Sequence, residues 1–332
     1  MASEPRMLLR GISGRTLRMT VLAVLGGLLP LLFLSDSYLV LLLSTTGISI
    51  IVVAGLDILF GYSGQISLGH AGFYCIGAYT SAILSLKLGW SVFLTIAVGG
   101  VLATLVATLL ALPAVKLVHH FLALVTISFG QLVHLFVAEA RGLTDGYSGI
   151  NFIPRPRLGS FEFESNTAYY YLVYGILIVL LVAKQRLVAS RTGRAFVAIR
   201  EDAHAASGMG VNVTKYKTMA FAVSAFYAGI AGGLYAHLIG FISPETFVLN
   251  QSIIFLTMLL FGGMGNFWGP ILGSAGLAVV AEFLQKLESY QMLAYGIFLL
   301  LIIVYIPGGI SKGLNVVKVF KAGFKKPGNE PC

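Results

Sequence analysis

The chain is a succession of apolar runs, each close to the length that crosses a lipid bilayer, separated by polar or Gly/Pro breaks. A helix needs about 20 mostly apolar residues to span the hydrocarbon core. Reading between the breaks places ten runs, at 19–34, 38–58, 70–86, 91–111, 121–139, 169–183, 218–240, 250–264, 268–285 and 290–306. In lipid the backbone polar groups must be satisfied within the segment, so such runs become helices. The expected fold class is all-α integral membrane, a helical bundle of about ten transmembrane spans with broken Gly-rich segments. The third and eighth runs are the weakest, because Gly-rich polar stretches flank them.

Charge supports this reading and sets a topology. Only 11% of the 332 residues are charged, 57% are hydrophobic, and the mean hydropathy is +0.89. A soluble domain carries about 25% charged residues. The balance of 22 Lys and Arg against 13 Asp and Glu gives a formal charge of +9. On a soluble protein that would raise nucleic-acid binding. Here the basic residues fall in the breaks and act as topology-setting charge, so no nucleic-acid partner is expected.

With the N-terminus inside, the inner segments are 1–18, 59–69, 112–120, 184–217, 265–267 and 307–332. They hold seventeen basic residues, whereas the outer segments hold five: Lys87, Arg141, Arg155, Arg157 and Lys286. That bias places both termini in the cytoplasm and supports an even span count. Arg6, Arg10, Arg15 and Arg18 precede the first apolar run as in a signal peptide, but no small-residue cleavage site follows. The run reads as an uncleaved first span.

The expected organisation is a cytoplasmic segment 1–18, one transmembrane domain 19–306 and a basic cytoplasmic tail 307–332. The domain carries an outer loop 140–168 and a basic inner loop 184–217, neither able to bury a core of its own. Leu59-Phe60-Gly61-x-x-Gly64 is similar to Leu260-Phe261-Gly262-x-x-Gly265, followed by Gly69 and Gly269 respectively. The two segments run the same way in this topology, which an inverted repeat does not predict. With 39 glycines in the chain, coincidence is an equally good account.

No catalytic constellation is present. There is no G-x-x-x-x-G-K-[ST] run to cradle phosphates, so ATP hydrolysis by this chain is not expected. His119 and His120 are adjacent and point to different faces. The remaining histidines do not form ligand spacings, and Cys75 and Cys332 make neither a disulfide framework nor a metal site. Neither a metal nor a cofactor is expected in the chain itself.

Polar groups at membrane depth are costly, and they usually face a bundle interior or a water-filled path. The candidates are Asp57, Gln65, His70, Ser128, Gln131, His134 and Gln251. Ser128, Gln131 and His134 recur at i, i+3, i+6, which groups them on one helix face. Hydrogen bonding between helices is the plainer account of such a face. The stretch 61–72 is too rich in glycine and polar side chains to face lipid. It is either a cytoplasmic turn or a broken helix lining a route. The expected path residues are Gly61, Gly64, Gln65, Ser67, Gly69, His70, Ser128 and Gln131.

In the inner loop, Arg194 to Ala206 reads as one amphipathic helix. Ala195, Phe196, Ile199, Ala203 and Ala206 form its stripe, and Arg200, Glu201 and Asp202 lie elsewhere. Gly193 precedes it, and Gly208 and Gly210 end it. Such a helix lies on anionic lipid or docks into a partner's groove, and the paired acids favour a protein. No acid–base pair is expected to be fixed deep in the spans. Asp57, Glu139 and Glu282 sit near span ends, which leaves little for an ion-coupled carrier to use as a relay.

Gly55-Leu56-Asp57-Ile58-Leu59-Phe60-Gly61-Tyr62-Ser63-Gly64-Gln65-Ile66-Ser67-Leu68-Gly69-His70-Ala71-Gly72-Phe73, with Gly77-Ala78-Tyr79-Thr80, resembles the signature of LivM-type permeases. These are membrane subunits of ABC importers for branched-chain amino acids. Leu143-Thr144-Asp145-Gly146, Gly193-Arg194-Ala195, Ala198-Ile199-Arg200-Glu201-Asp202, Gly208-Met209-Gly210-Val211-Asn212, Phe241-Ile242-Ser243-Pro244-Glu245 and Gly262-Gly263-Met264-Gly265-Asn266 with Trp268-Gly269-Pro270 also match, in family order.

The resemblance implies a type II ABC importer-like permease, multi-pass in the cell inner membrane. It would pair with a second homologous permease above two cytoplasmic ATPase subunits, which hydrolyse ATP with Mg. An extracytoplasmic substrate-binding protein would dock outside, and the route would lie between the permeases. Gly193, Arg194, Ile199, Arg200, Glu201, Asp202, Gly208 and Gly210 would then couple to the ATPases. Gly262, Gly263, Gly265, Gly269 and Pro270 would form structural turns. Relatives in the family carry urea or short amides, so the cargo stays open between these and branched-chain amino acids.

Overall fold

The computed structural model describes residue 26 and residues 36–114, 119–158, 161–163, 165–285, 296–297, 300 and 309–310. All but isolated residues of the expected first and last spans, segment 1–18 and tail 307–332 lie outside the described residues, as does Cys332.

Helix α1 spans Ser37–Leu56, and its last turns widen into a π-helix over Asp57–Tyr62. Helix α2 is His70–Lys87, α3 Val92–Ala114 and α4 His119–Glu139. A four-residue turn of helix, α5 (Arg141–Thr144), opens the next loop. That loop also holds a two-residue antiparallel pair, Arg157 opposite Glu162 and Leu158 opposite Phe161. Then follow α6 (Asn166–Ala189), α7 (Arg191–Glu201), α8 (Ala203–Gly208), α9 (Val213–Ile239), α10 (Leu249–Gly262) and α11 (Gly269–Gln285).

Five helices among the described residues are long and apolar enough to cross a membrane: 37–62, 92–113, 121–139, 166–189 and 213–239. Helix α2 and the shorter α10 and α11 fall on the expected runs at 70–86, 250–264 and 268–285. A total of ten spans is not established by these elements. Polar residues mark where helices begin. Ser165 accepts from the Ala168 amide, Ser190 from Thr192 and Asn212 from Lys215, each side chain satisfying a first-turn N–H that the helix leaves free.

The core sits around α9, which packs on α2, α3 and α1. Small residues make this possible: where α2 crosses α9, a Cβ on Gly77 would overlap the Gly229 carbonyl oxygen. Lipid offers no hydrophobic drive for helix association, so close backbone packing has to supply it. Polar side chains finish the job by closing on neighbouring helices. The Tyr169 hydroxyl donates to the Leu234 carbonyl (2.6 Å) and that of Tyr227 to Leu180 (2.7 Å). His237 sits 2.6 Å from the Pro154 carbonyl through Nδ1, so Nδ1 carries the proton and Nε2 accepts from Ser81 at 2.8 Å. Cys75 is buried in the same core. By contrast, α3 and α4 turn Val101, Leu105, Leu109, Phe121, Leu124, Leu132 and Phe136 outward.

The Gly-rich breaks at 57–69 and 263–268 both lie at the end of the bundle that carries the basic loop 184–217. The expected single helix Arg194–Ala206 is in fact two, α7 and α8. Asp202 takes an extended conformation (φ −156°, ψ 113°) and its side chain caps the second by accepting from His204 and Ala205. Asp prefers this capping role to a helix interior, which is why it breaks the helix. Gly193 lies inside α7 rather than ahead of it. Most of the stripe survives the break: Ala195, Phe196, Ile199 and Ala206 are buried and Ala203 is half-buried.

Candidate functional site

Five segments meet at the basic end, and one carboxylate joins three of them. Asp57, 0% exposed, stands at the start of the π-helix. Its Oδ2 is 2.7 Å from Nζ of Lys184, itself 2% exposed, near the end of α6. Its Oδ1 accepts from the Gly265 amide at 2.7 Å. Both carboxylate oxygens are therefore used, which is the condition for keeping a charge out of water. Lys184 also lies over the Tyr62 ring, 5.9 Å from its centroid. A cavity of about 350 Å³ opens beside the pair, bounded by Tyr62, Lys184, Gln185, Val188, Ala189, Gly265, Asn266 and Phe267.

This ion pair corrects one expectation. Lys184 is not a loop residue but a buried member of α6, and its partner Asp57 lies near a helix end, at the basic end of the bundle rather than deep in the spans. A lysine at the edge of an apolar run reads as snorkelling charge. What turns it inward is Asp57, 127 residues away, and nothing local signals the pairing.

Helix α7, in the basic loop, reaches the same place. Arg200, at the end of α7, donates through its guanidinium to the Gly61 carbonyl. Its stem lies against Gly64, where a Cβ would stand 3.1 Å from Arg200 Cγ. Gly61 has to be glycine here: a Cβ would overlap Asp57 Oδ1 and stand 2.7 Å from the Gly265 amide nitrogen. Gly193 abuts the Val188 carbonyl, which makes the α6–α7 elbow tight. Arg194, Arg200, Glu201, Asp202, Gly208 and Gly210 are at the surface, and Ile199 is buried. The two similar stretches Leu59–Gly64 and Leu260–Gly265 are thus neighbours, joined through Asp57 and Gly265.

Of the expected path residues, Gly61, Gln65, Ser67, Gly69 and His70 are buried and Gly64 is half-buried. Gln65 Nε2 donates to Ser63 Oγ (2.6 Å) and to the Lys217 carbonyl (3.1 Å). His70 lies between Ser67 Oγ (3.1 Å) and Ser224 Oγ (2.6 Å). The Ser252 hydroxyl accepts from the Ala71 amide at 2.8 Å. Ser128 and Gln131 instead stand exposed on α4, and His134 is half-buried beside the Pro244 carbonyl.

The groups are nevertheless connected. The opposite face of α4 carries Thr126, whose Oγ1 accepts from the Leu68 amide at 3.1 Å, and Phe129 and Gly130, which pack on Gly72. The Gly-rich segment therefore backs the helix that presents Ser128 and Gln131. Gly262, Gly263, Gly265, Gly269 and Pro270 form and flank the turn between α10 and α11. The backbones approach so closely there that a Cβ on Gly262 would overlap the Gly269 carbonyl oxygen. Lys184, Ser224, Thr126 and Ser252 were not singled out in the sequence, because each acts only through a partner distant along the chain.

Residues 38–306 match the model of the family described as branched-chain amino acid transport system, permease component. The chain belongs to this family. Among its relatives, the high-affinity branched-chain amino acid transport system permease protein LivM of Escherichia coli (strain K12) is 34% identical over 336 residues, 93% of this chain and 78% of the relative. The corresponding LivH protein of the same organism is 24% identical, with 81% of this chain and 92% of the relative covered. The guanosine ABC transporter permease protein NupQ of Bacillus subtilis (strain 168) is 27% identical, with 68% and 74% covered. No solved structure matches the chain. This permease is a multi-pass membrane protein, and the site at its basic end is built from residues within the matched region.

Proposed function

We propose that this permease is the membrane-spanning subunit of an ATP-driven importer for branched-chain, hydrophobic amino acids and forms half of the translocation path. The observation that carries the reading is the placement of α7. Its apolar stripe and Arg200 are anchored on the bundle, while Arg194, Val197, Ala198 and Glu201 stay exposed at the basic end. A helix held on one face and free on the other suits docking by a partner. In this reading two cytoplasmic ATPases bind there and hydrolyse ATP with Mg, and this chain hydrolyses none. The basic end faces the cytoplasm of the inner membrane. A second homologous permease completes the route, and a binding protein delivers cargo from outside.

The route runs along the exposed face of α4 at Ser128 and Gln131. The segment Gly61–His70, with Gly64, Gln65, Ser67 and Gly69, supports that helix from behind. Uncharged path groups suit a zwitterionic cargo that carries its own compensating charges.

The test is reconstitution of the permease with its partner permease, ATPases and binding protein in vesicles, with uptake of leucine, isoleucine and valine measured with and without ATP. ATP-dependent uptake of these amino acids is expected. Uptake of urea, short amides or nucleosides in their place would overturn the cargo assignment. Uptake by this chain alone, driven by an ion gradient, would overturn the mechanism.

A further inference from the structure

We infer that the Asp57–Lys184 pair positions the π-helical turn so that displacement of α7 passes into the Gly-rich segment. This inference rests on the proposed docking of ATPases at α7. Its geometry is that of two links gripping one turn. Asp57 and Gly61 lie four residues apart in the π-helix Asp57–Tyr62. Lys184 holds the first from α6, and Arg200 holds the second from α7. The two holders are one unit, because α6 ends at Ala189, α7 begins at Arg191, and Gly193 is wedged against the Val188 carbonyl.

The links differ in kind. Arg200 is a surface residue whose guanidinium reaches one carbonyl, a contact that water can replace. Both side chains of the Asp57–Lys184 pair are buried, at 0% and 2% exposure. A movement of α7 that relied on Arg200 alone would slip at that contact. With Lys184 fixed to Asp57, the turn has to follow α6 and α7. The other Asp57 oxygen holds the Gly265 amide, so the second glycine turn is carried along. Beyond the π-helix the segment continues to Leu68 and Thr126, and so to the helix that presents Ser128 and Gln131.

A buried ion pair is a weak source of net stability compared with apolar side chains of similar volume. Its presence here is accounted for by what it fixes in place. Neutral replacement of both partners should therefore spare folding and damage coupling.

The experiment uses the assembled complex with partner permease, ATPases and binding protein, carrying Asp57→Asn together with Lys184→Met. The amide oxygen of Asn keeps an acceptor for Gly265, and Met keeps the apolar stem. Each single variant leaves one buried group without its partner and is expected to assemble poorly. The double variant is expected to assemble and to hydrolyse ATP at close to the original rate, with amino-acid uptake per ATP reduced roughly tenfold. Lys184→Arg, which keeps the charge, should retain most of the uptake per ATP.

Unchanged uptake per ATP in the double variant would overturn the inference. So would failure of the double variant to assemble, since the pair would then be a folding element only. Arg194→Glu on the exposed face of α7 separates this from the underlying reading. If Arg194→Glu weakens ATPase attachment while the double variant couples normally, only the inference falls. If neither substitution matters, the docking role of α7 falls with it.

Discussion

Gly77 of α2 and Gly229 of α9 meet backbone to backbone, so that a Cβ on Gly77 would overlap the Gly229 carbonyl oxygen, whereas a Cβ on Gly229 would crowd Ala103 and Gly100 of α3. The contact is three-sided, because the Gly77 carbonyl oxygen also lies within reach of Gly99 on α3. Overpacking such a crossing costs about 1–3 kcal/mol, and more where backbone rather than a flexible side chain has to yield. Gly77→Ala is therefore expected to lower the thermal unfolding midpoint of the purified permease, and Gly77→Leu to abolish folded protein. Gly175 in α6 is the contrasting case, since nothing lies within 4 Å of a Cβ there. Gly175→Ala should leave stability unchanged or raise it by up to about 1 kcal/mol. Equal effects of alanine at the two sites, measured by thermal melts in the same detergent, would refute the crossing.

The His70 site makes a prediction about polar satisfaction. His70 bridges Ser67 and Ser224, both buried. Removing one partner leaves a buried ring nitrogen unpaired, at a cost of about 1–3 kcal/mol. Ser224→Ala should destabilise by that amount, and His70→Leu by a similar one. The double variant should lose less than the sum, by about 0.5–3 kcal/mol, because both substitutions break one interaction. Denaturation of the four proteins measures this, and strict additivity would show that the two side chains do not interact.

Much of this architecture is legible in the sequence because the bilayer leaves helices little choice. Apolar runs at 38–58, 91–111, 121–139, 169–183 and 218–240 each became a long helix, since length and hydropathy alone decide them. The stripe Ala195, Phe196, Ile199 and Ala206 was readable for the same reason: periodicity is local. Pairings across the chain were not. Lys184 looks like loop charge until Asp57 is placed beside it, and Ser224 looks like an ordinary small residue until His70 reaches it. The split at Asp202 turned on one side chain choosing to cap the helix after it rather than extend the helix before it. The neighbouring turns at Gly61 and Gly265 were visible as a repeated pattern, but only the folded contact gives the pattern a meaning.

Asp202 adds a pH dependence. Its carboxylate accepts from the Ala205 and His204 amides, and these hydrogen bonds hold its pKa below the usual carboxylate value. A depressed folded pKa means the cap is fully present above the ordinary aspartate pKa, about 4, and is lost as pH falls through the lower folded value. Helix α8 should therefore fray in acid before the rest of the bundle does. Asp202→Asn keeps a capping oxygen and cannot titrate. At the same acid pH, amides 204 and 205 should exchange with solvent faster in the original protein than in the Asn variant, and matching rates would remove the carboxylate from the account.

The exposed face of α4 meets either water or lipid, and thiol labelling tells the two apart. Ser128 and Gln131 are exposed there among Leu124, Leu132 and Phe136, whereas Gln65 is buried against Ser63 and the Lys217 carbonyl of α9. If the face lines a route between two permeases, a cysteine at Gln131 reacts with a water-soluble thiol reagent in the assembled complex, and transported amino acid slows the reaction. Gln65→Cys stays unreactive in the resting complex, because Ser63 and the Lys217 carbonyl enclose the side chain it replaces. A polar group turned to lipid is costly, so the alternative surroundings give the opposite pattern. A Gln131→Cys that reacts only with a membrane-permeant reagent, with no protection by substrate, would put α4 on the lipid side and move the route elsewhere.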